Sequence, residues 1–398
     1  MLSRRPLVAL LLGAFLCALT LSATSSALAA GRVPQGFVGA DVDGPLYPVT
    51  ASGVDLPSQL DAMVASGVQN IRVVFDWSWA QPYQRSSQVP AAQKSQFTNV
   101  GGIPTRFAQI DQIVGLAAQR GLTVLPTVIF APNWDATSHP KDAISIPKRS
   151  GPYGTFVGAL VRRYGPKGSF WASHRPKVAV RMWEIWNEPN IFRFWFKQPF
   201  QSAYVALVRA AHNAIKRVDP GAKVVLAGMP NFSWTQLARI YKIKGARALF
   251  DVVAAHPYTK NPPGVITILQ KVRAVMNANG DTHKPLLADE ISWPSSQGQT
   301  VHNTGFDFVT TQAGQASKLA KVLPLLGKNR VKLGLMGFDY YTWAGIEDQN
   351  GLAFDFSGLE RFSSGQFFAK PALGVFRHGA LGLEGCRQKG SRATICLH

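Results

Sequence analysis

Apolar residues follow two alternating patterns along this chain. Short continuous runs such as "GFVGADV" (residues 36–42), "NIRVVFDW" (70–77) and "LTVLPTVIFAP" (122–132) have the composition of strands buried on both faces. Between them lie longer segments, "LPSQLDAMVASG", "TRFAQIDQIVGLAAQRG" and "YGTFVGALVRRYG", whose apolar positions return every three or four residues. That period predicts amphipathic helices, which Gly67, Gly121 and Gly165 stop. The alternation continues. "KVAVRMWEIWNEPN" (177–190) reads as strand four, "KVVLAGMP" as five, "LFDVVAAHPY" as six, "KPLLADEISWP" as seven and "VKLGLMGFDYYTW" as eight. Helices are predicted over "FQSAYVALVRAAHNAIKRVDPG" and over residues 235–243, 264–279, 311–326 and 364–377. Eight strand–helix units predict an α/β fold, a parallel sheet closed into a (β/α)8 (TIM) barrel. An open doubly wound sheet is the rival, but no Gly-rich phosphate turn follows the first strand.

The first residues stand outside this pattern. Arg4 and Arg5 precede an apolar stretch over residues 7–21, and Ala27-Leu28-Ala29 forms a small-residue cleavage site. This is the pattern of a secretory leader, too short for a membrane span. The expected layout is a leader over 1–29, a catalytic barrel over 30–378 and a tail over 379–398. Cysteine usage agrees with export: Cys17 leaves with the leader, while Cys386 and Cys396 are expected to close a loop in the tail. The formal net charge is +20. Solubility is one account of it, and attraction to an anionic polysaccharide is another. Nucleic acid fits poorly, because the basic residues are scattered and no recognition motif is present.

In a (β/α)8 barrel the chemistry sits at the carboxyl ends of the strands. Those ends carry Arg72, Asp76 and Trp77; Asn133 and Trp134; Asn187 and Glu188; His256 and Tyr258; Asp289, Glu290 and Trp293; and Asp339, Tyr341 and Trp343. Glu188 and Glu290 end strands four and seven, far apart in sequence, yet the strand ends of a closed barrel converge on one mouth. Paired carboxyls are what cleavage of a glycosidic bond requires, one holding its proton while the other stays ionised. Glu184 reads as a salt-bridge partner, and Asp41 and Asp43 as turn residues or ligands for distal hydroxyls. Trp77, Trp79, Trp134, Trp186, Trp195 and Trp293 divide between core and sugar stacking, with about half expected on the groove. No H-E-x-x-H, C-x-x-C or G-x-S-x-G pattern appears, so neither metal, cofactor nor serine triad is expected.

"WEIWNEPN" together with "PLLADEISWP" resembles the retaining glycoside hydrolases of clan A, and "FDVVAAHPY" adds a likeness to families 39 and 5. The resemblance implies Glu188 as acid/base and Glu290 as nucleophile. It implies Asn187 on the sugar 2-hydroxyl, Arg72 and Tyr258 on the nucleophile, His256 as an orienting residue or sugar ligand, and Trp343 under the sugar. Arg72 and Tyr258 would then hold Glu290 ionised. The chain after Trp343 leaves room for a helix and the cysteine loop but no β-sandwich. The expectation is therefore a secreted monomer with an open groove, cutting a polysaccharide internally. Two alternatives remain open: a silent polysaccharide-binding protein on the same barrel, and a transglycosylase.

Overall fold

The structure is a computed structural model, described here for residues 32–48, 52–302, 305–347 and 351–398. The expected leader and Cys17 lie outside the described residues. Eight parallel strands close into a barrel: β1 (Val38–Asp41), β2 (Asn70–Asp76), β3 (Thr123–Ile129), β4 (Met182–Ile185), β5 (Lys223–Leu226), β6 (Val252–Ala254), β7 (Leu286–Ile291) and β8 (Leu335–Tyr340). β8 pairs with β1 to complete the ring, Val38 opposite Phe338 and Ala40 opposite Tyr340.

The helices outside the ring are α1 (Leu56–Ala65), α2 (Ala108–Gln119), α3 (Ser150–Tyr164), α4 (Gln201–Val218), α5 (Ser233–Tyr241), α6 (Pro262–Ala278), α7 (Gln312–Leu333) and α8 (Pro371–Glu384). Two of the predicted elements differ. Residues 364–369 are not helical: Gln366–Ala369 is a strand, and the last helix starts at Pro371, where proline suits the first turn. Strand eight begins at Leu335 rather than Val331, because α7 runs on through Pro324 to a left-handed cap at Gly334. None of the helices among the described residues is long and apolar enough to cross a membrane.

The interior of the ring is layered by the period of two along each strand. Leu125, Val225, Val252, Ala254 and Leu287 form a small apolar plug with Met182 and Met336. One pleat further toward the carboxyl ends, the inward positions change character. Leu125 is followed by Thr127, Met182 by Glu184, Ala254 by His256 and Leu287 by Asp289, all buried. A larger apolar shell between strands and helices carries the rest of the core. The plug is the floor of the barrel, and the polar layer above it is where chemistry can occur.

At the opposite end of the barrel the tail is tied down. Cys386 and Cys396 form a disulfide, with Cα atoms 5.3 Å apart, beside a hairpin pairing Gln388 with Leu397. Buried Lys389 donates to Glu384, which also accepts from Gln69, whose own Oε1 accepts from the Gly36 amide. Replacing both cysteines by serine is expected to cost about 2–3 kcal/mol through the freed loop. The readout is a lower urea midpoint at unchanged slope, and an unchanged midpoint would contradict the role given to the crosslink.

Candidate active site

A strand normally sends successive side chains to opposite faces, so Asn187-Glu188 and Asp289-Glu290 could not each both face the barrel axis in regular strands. Two local devices solve this. After β4 the backbone enters the left-handed region at Trp186 (φ 71°) and again at Glu188 (φ 42°). The Glu188 amide then donates to the Gly228 carbonyl at 3.1 Å. For residues with a Cβ this conformation costs about 1–2 kcal/mol each, which the packed surroundings must offset. In β7 the device is a bulge. Ala288 pairs with Phe338 and Ile291 with Tyr340, so Asp289 and Glu290 share the space opposite Asp339 alone.

Arg72, 4% exposed, sits at the centre. Its Nε and Nη2 donate to the two oxygens of Glu184 at 2.7 and 3.1 Å. Nη1 donates to Asp41 at 2.9 Å and to Glu290 Oε1 at 2.7 Å, and Nη2 also to Asn187 Oδ1 at 2.8 Å. The second Glu290 oxygen accepts from the Tyr258 hydroxyl at 2.6 Å. His256 Nδ1 lies 2.7 Å from Glu188 Oε1 and 3.3 Å from Glu290 Oε2, while its Nε2 lies 3.5 Å from Asp289. Oxygens of Glu188 and Glu290 are within 4.8 Å of each other across the mouth. Gly228 makes room for this arrangement: a Cβ there would fall 2.1 Å from His256 Nε2 and 2.6 Å from Asp289 Oδ1.

Burial and charge compete throughout. Burial pulls the His256 imidazole down, but the charges of Glu290 and Asp289 and the hydrogen bonds of Asp289 and Glu188 hold it well above its ordinary value. Burial pushes Glu184 up to about 7 against the pull of Arg72. It also lifts Glu290 above its usual range, against His256, Arg72 and the Tyr258 hydroxyl. The expectation that Arg72 and Tyr258 would hold Glu290 ionised meets an opposing effect: both donors are in place, but burial lifts the carboxyl against them. Asp339, fully buried, is raised strongly by burial and by Asp289, against the pull of Arg72 and a hydrogen bond from Asn70. Burial also raises Asp289, but His256 and Arg72 outweigh it and hold that carboxyl below its ordinary value. Two groups, Glu184–His256–Asp289 and Glu188–His256–Glu290, are compact enough to hold a cation. The Arg72 guanidinium already donates to Glu184 and Glu290 and fills that electrostatic role.

The tryptophans correct the sequence expectation. Trp343 is fully buried and turned outward, its indole N–H donating to Gln59 on α1 at 2.8 Å, so it cannot lie under a sugar. Trp293 is likewise buried, donating to the Thr259 carbonyl. Trp77, Trp186 and Trp195 are core residues. Of the tryptophans assigned to core or groove from the sequence, Trp79 and Trp134 keep partial exposure: Arg106 covers the first at 4.0 Å, and the second donates to the Gln81 carbonyl. Asp41 is buried on Arg72, and Asp43 accepts from Tyr341 at 2.8 Å.

The aromatic wall beside Glu290 consists instead of rings that sequence reasoning passed over. Phe308 stacks on Tyr258 at 5.3 Å, and Phe354 meets Tyr258, Phe306 and Tyr341 edge-on. The available signal was the tripeptide Phe-Asp-Phe, which occurs at 306–308 and again at 354–356, in the loops after β7 and β8.

No family model matches the chain. The sequence is 25% identical over 215 residues to a β-xylosidase of Geobacillus stearothermophilus, a match covering 48% of this chain and 38% of the xylosidase. The chain thus spans well under half of that relative's length. Among solved structures, a glucosidase from Croceicoccus marinus superposes with TM-score 0.59 at 19% identity, over 89% of this chain and 68% of that one. The GH53 catalytic domain of Ignisphaera aggregans gives 0.56 at 19%, over 87% and 98%. A GH5_18 enzyme of Streptomyces cattleya with bound Manβ1-4GlcNAc gives 0.55 at 14%, over 86% and 80%. These likenesses show the fold, a (β/α)8 barrel that this chain shares with a glucosidase, a GH53 catalytic domain and a GH5_18 enzyme.

The opposed shifts of the two central aspartates can be tested. A carboxyl raised on folding opposes stability once pH exceeds its unfolded value, whereas a lowered one contributes stability there. Asp339→Asn should therefore raise the urea midpoint relative to wild type, by more at pH 8 than at pH 4. Asp289→Asn should lower it at pH 8, with the loss shrinking as the pH falls. Shifts of the same sign for both variants would contradict the electrostatic assignment.

Proposed function

We propose that the protein is a glycoside hydrolase acting with retention of configuration, Glu188 serving as acid/base and Glu290 as nucleophile. The observation carrying this reading is the separation of the two carboxyls. Oxygens within 4.8 Å match the ~5–5.5 Å spacing that lets one carboxylate attack the anomeric carbon directly. An inverting pair stands ~6.5–9.5 Å apart to admit water.

In the first step Glu188 gives its proton to the glycosidic oxygen, the bond from that oxygen to the anomeric carbon breaks, and a Glu290 oxygen bonds to the carbon. Arg72 on Oε1 and Tyr258 on Oε2 fix the plane of the attacking carboxylate. With its Oδ1 held by Arg72, Asn187 has its Nδ2 free to donate to a sugar hydroxyl next to the reacting carbon. In the second step Glu188, now a carboxylate, takes a proton from water. That water attacks the anomeric carbon and releases Glu290. His256 lies between the two carboxyls and holds both in place through Nδ1.

The finer reading is a secreted enzyme that cuts within a polysaccharide. The leader pattern and the C-terminal disulfide support export. The exposed rings of Phe192 and Phe232, on the loops after β4 and β5, support contact with sugar beyond the cleaved bond. The match to a β-xylosidase makes β-xylosides the first substrates to try.

Glu290→Ala should lower kcat on an aryl glycoside by at least 10^4-fold, roughly the loss seen when a nucleophile is removed. Azide should restore turnover, giving the glycosyl azide of opposite configuration. Unimpaired hydrolysis by Glu290→Ala would falsify the assignment. A wild type that binds polysaccharide but cleaves no glycoside would favour the silent scaffold instead.

A further inference from the structure

The mouth of the barrel has two unlike flanks. Over Glu290 the rings of Tyr258, Phe308 and Phe354 are packed on one another. The loops after β4 and β5 instead leave two rings exposed. Phe232 is 68% exposed and Phe192 is 52% exposed, the two most exposed aromatic side chains among the described residues. Phe192 follows Glu188 by one turn of loop. Phe232 ends the loop after β5, whose Gly228 carbonyl accepts the Glu188 amide. Asn190 Nδ2 donates to the Pro230 carbonyl at 3.0 Å, joining the loops after β4 and β5 into one rim.

The chain also holds Phe232 outward at a conformational cost. Asn231 and Phe232 lie in succession in the left-handed region, at φ 47° and 55°, and Trp234 supports the Phe232 ring edge-on at 5.4 Å. A large apolar ring kept in water by a strained backbone points to a ligand rather than to packing.

The chemistry of the site says which part of the substrate meets this rim. Glu188 protonates the leaving oxygen, so the departing portion must pass beside Glu188, where the joined loops after β4 and β5 form a rim. Every pyranose presents a face of C–H groups that an aromatic ring can cover. We propose that Phe232 and Phe192 form the subsite for the leaving group, taking the first sugar ring beyond the cleaved bond by its C–H face. This inference rests on the hydrolase reading and adds to it the recognition of the departing sugar.

The test compares two substrates sharing one glycone. A panel of β-linked xylobiose, cellobiose, mannobiose and galactobiose identifies the disaccharide that the wild type cleaves best. The glycosyl fluoride of the same sugar supplies a leaving group too small to reach the rim. Phe232→Ala should lower kcat/KM for the disaccharide at least about tenfold and leave the fluoride within twofold. Phe232→Tyr, which keeps the ring, should stay near wild type, and Phe192→Ala should show a smaller loss on the disaccharide alone. Equal losses on both substrates would overturn the subsite while leaving the hydrolase reading intact. Unchanged disaccharide kinetics would give the exposed rings to a protein partner. If the wild type turned over no disaccharide of the panel, none of the four corresponding glycosyl fluorides and no polysaccharide built from those sugars, the hydrolase reading would fail, and the subsite with it.

Discussion

The site is organised by one buried guanidinium. Arg72 donates to Asp41 from β1, to Glu184 from β4, to Asn187 beyond that strand and to Glu290 from β7. Four points around the ring are therefore referenced to a single rigid fork. Arginine suits this task because its donors are fixed in a plane and it keeps its charge under burial. Breaking one partner of such a buried ion pair leaves an uncompensated charge, typically costing about 3–5 kcal/mol. Glu184, which took two of the five contacts, has no place in the chemistry: it holds Arg72, and Arg72 holds Glu290.

Around that centre the charges do not balance if every acid is ionised. Asp41, Glu184, Glu188, Asp289, Glu290 and Asp339 face only Arg72 and His256. The environment resolves the excess by sorting the acids. Burial raises Asp41 and Asp339 strongly and Glu184 to about 7, whereas His256 and Arg72 keep Asp289 charged. The sorting follows the balance of burial and charge at each position: burial outweighs Arg72 at Asp41 and Glu184, whereas His256 and Arg72 together outweigh it at Asp289. A double displacement needs acids held in different states, since its acid/base must begin protonated while its nucleophile begins ionised.

Much of the architecture is written in the chain as periodicity. Eight continuous apolar runs gave the barrel strands because both faces of each are covered, and the ends of runs four and seven carry Glu188 and Glu290. What the pattern could not convey was local backbone geometry. No feature of "LLADEI" announces a bulge, yet only the bulge sends Asp289 and Glu290 inward together. Trp343 illustrates the opposite failure: the strand-eight end was read correctly, but the indole rotated outward to Gln59. Phe306, Phe308 and Phe354 lie in loops, where no period exists to reveal which side chains face the mouth. Residues 364–369 carry no signal that separates helix from hairpin except Ser364-Gly365, and both take positive φ to turn the chain between the two strands.

The central claim is that Glu290 attacks the sugar directly while Glu188 handles the proton. Trapping tests it most directly: incubation with a 2-deoxy-2-fluoro glycoside bearing a good leaving group, then digestion and peptide mass analysis. The account expects one fluorosugar per chain, in ester linkage to Glu290. A stable label on any other residue, or steady hydrolysis with inverted product and no label, would contradict it.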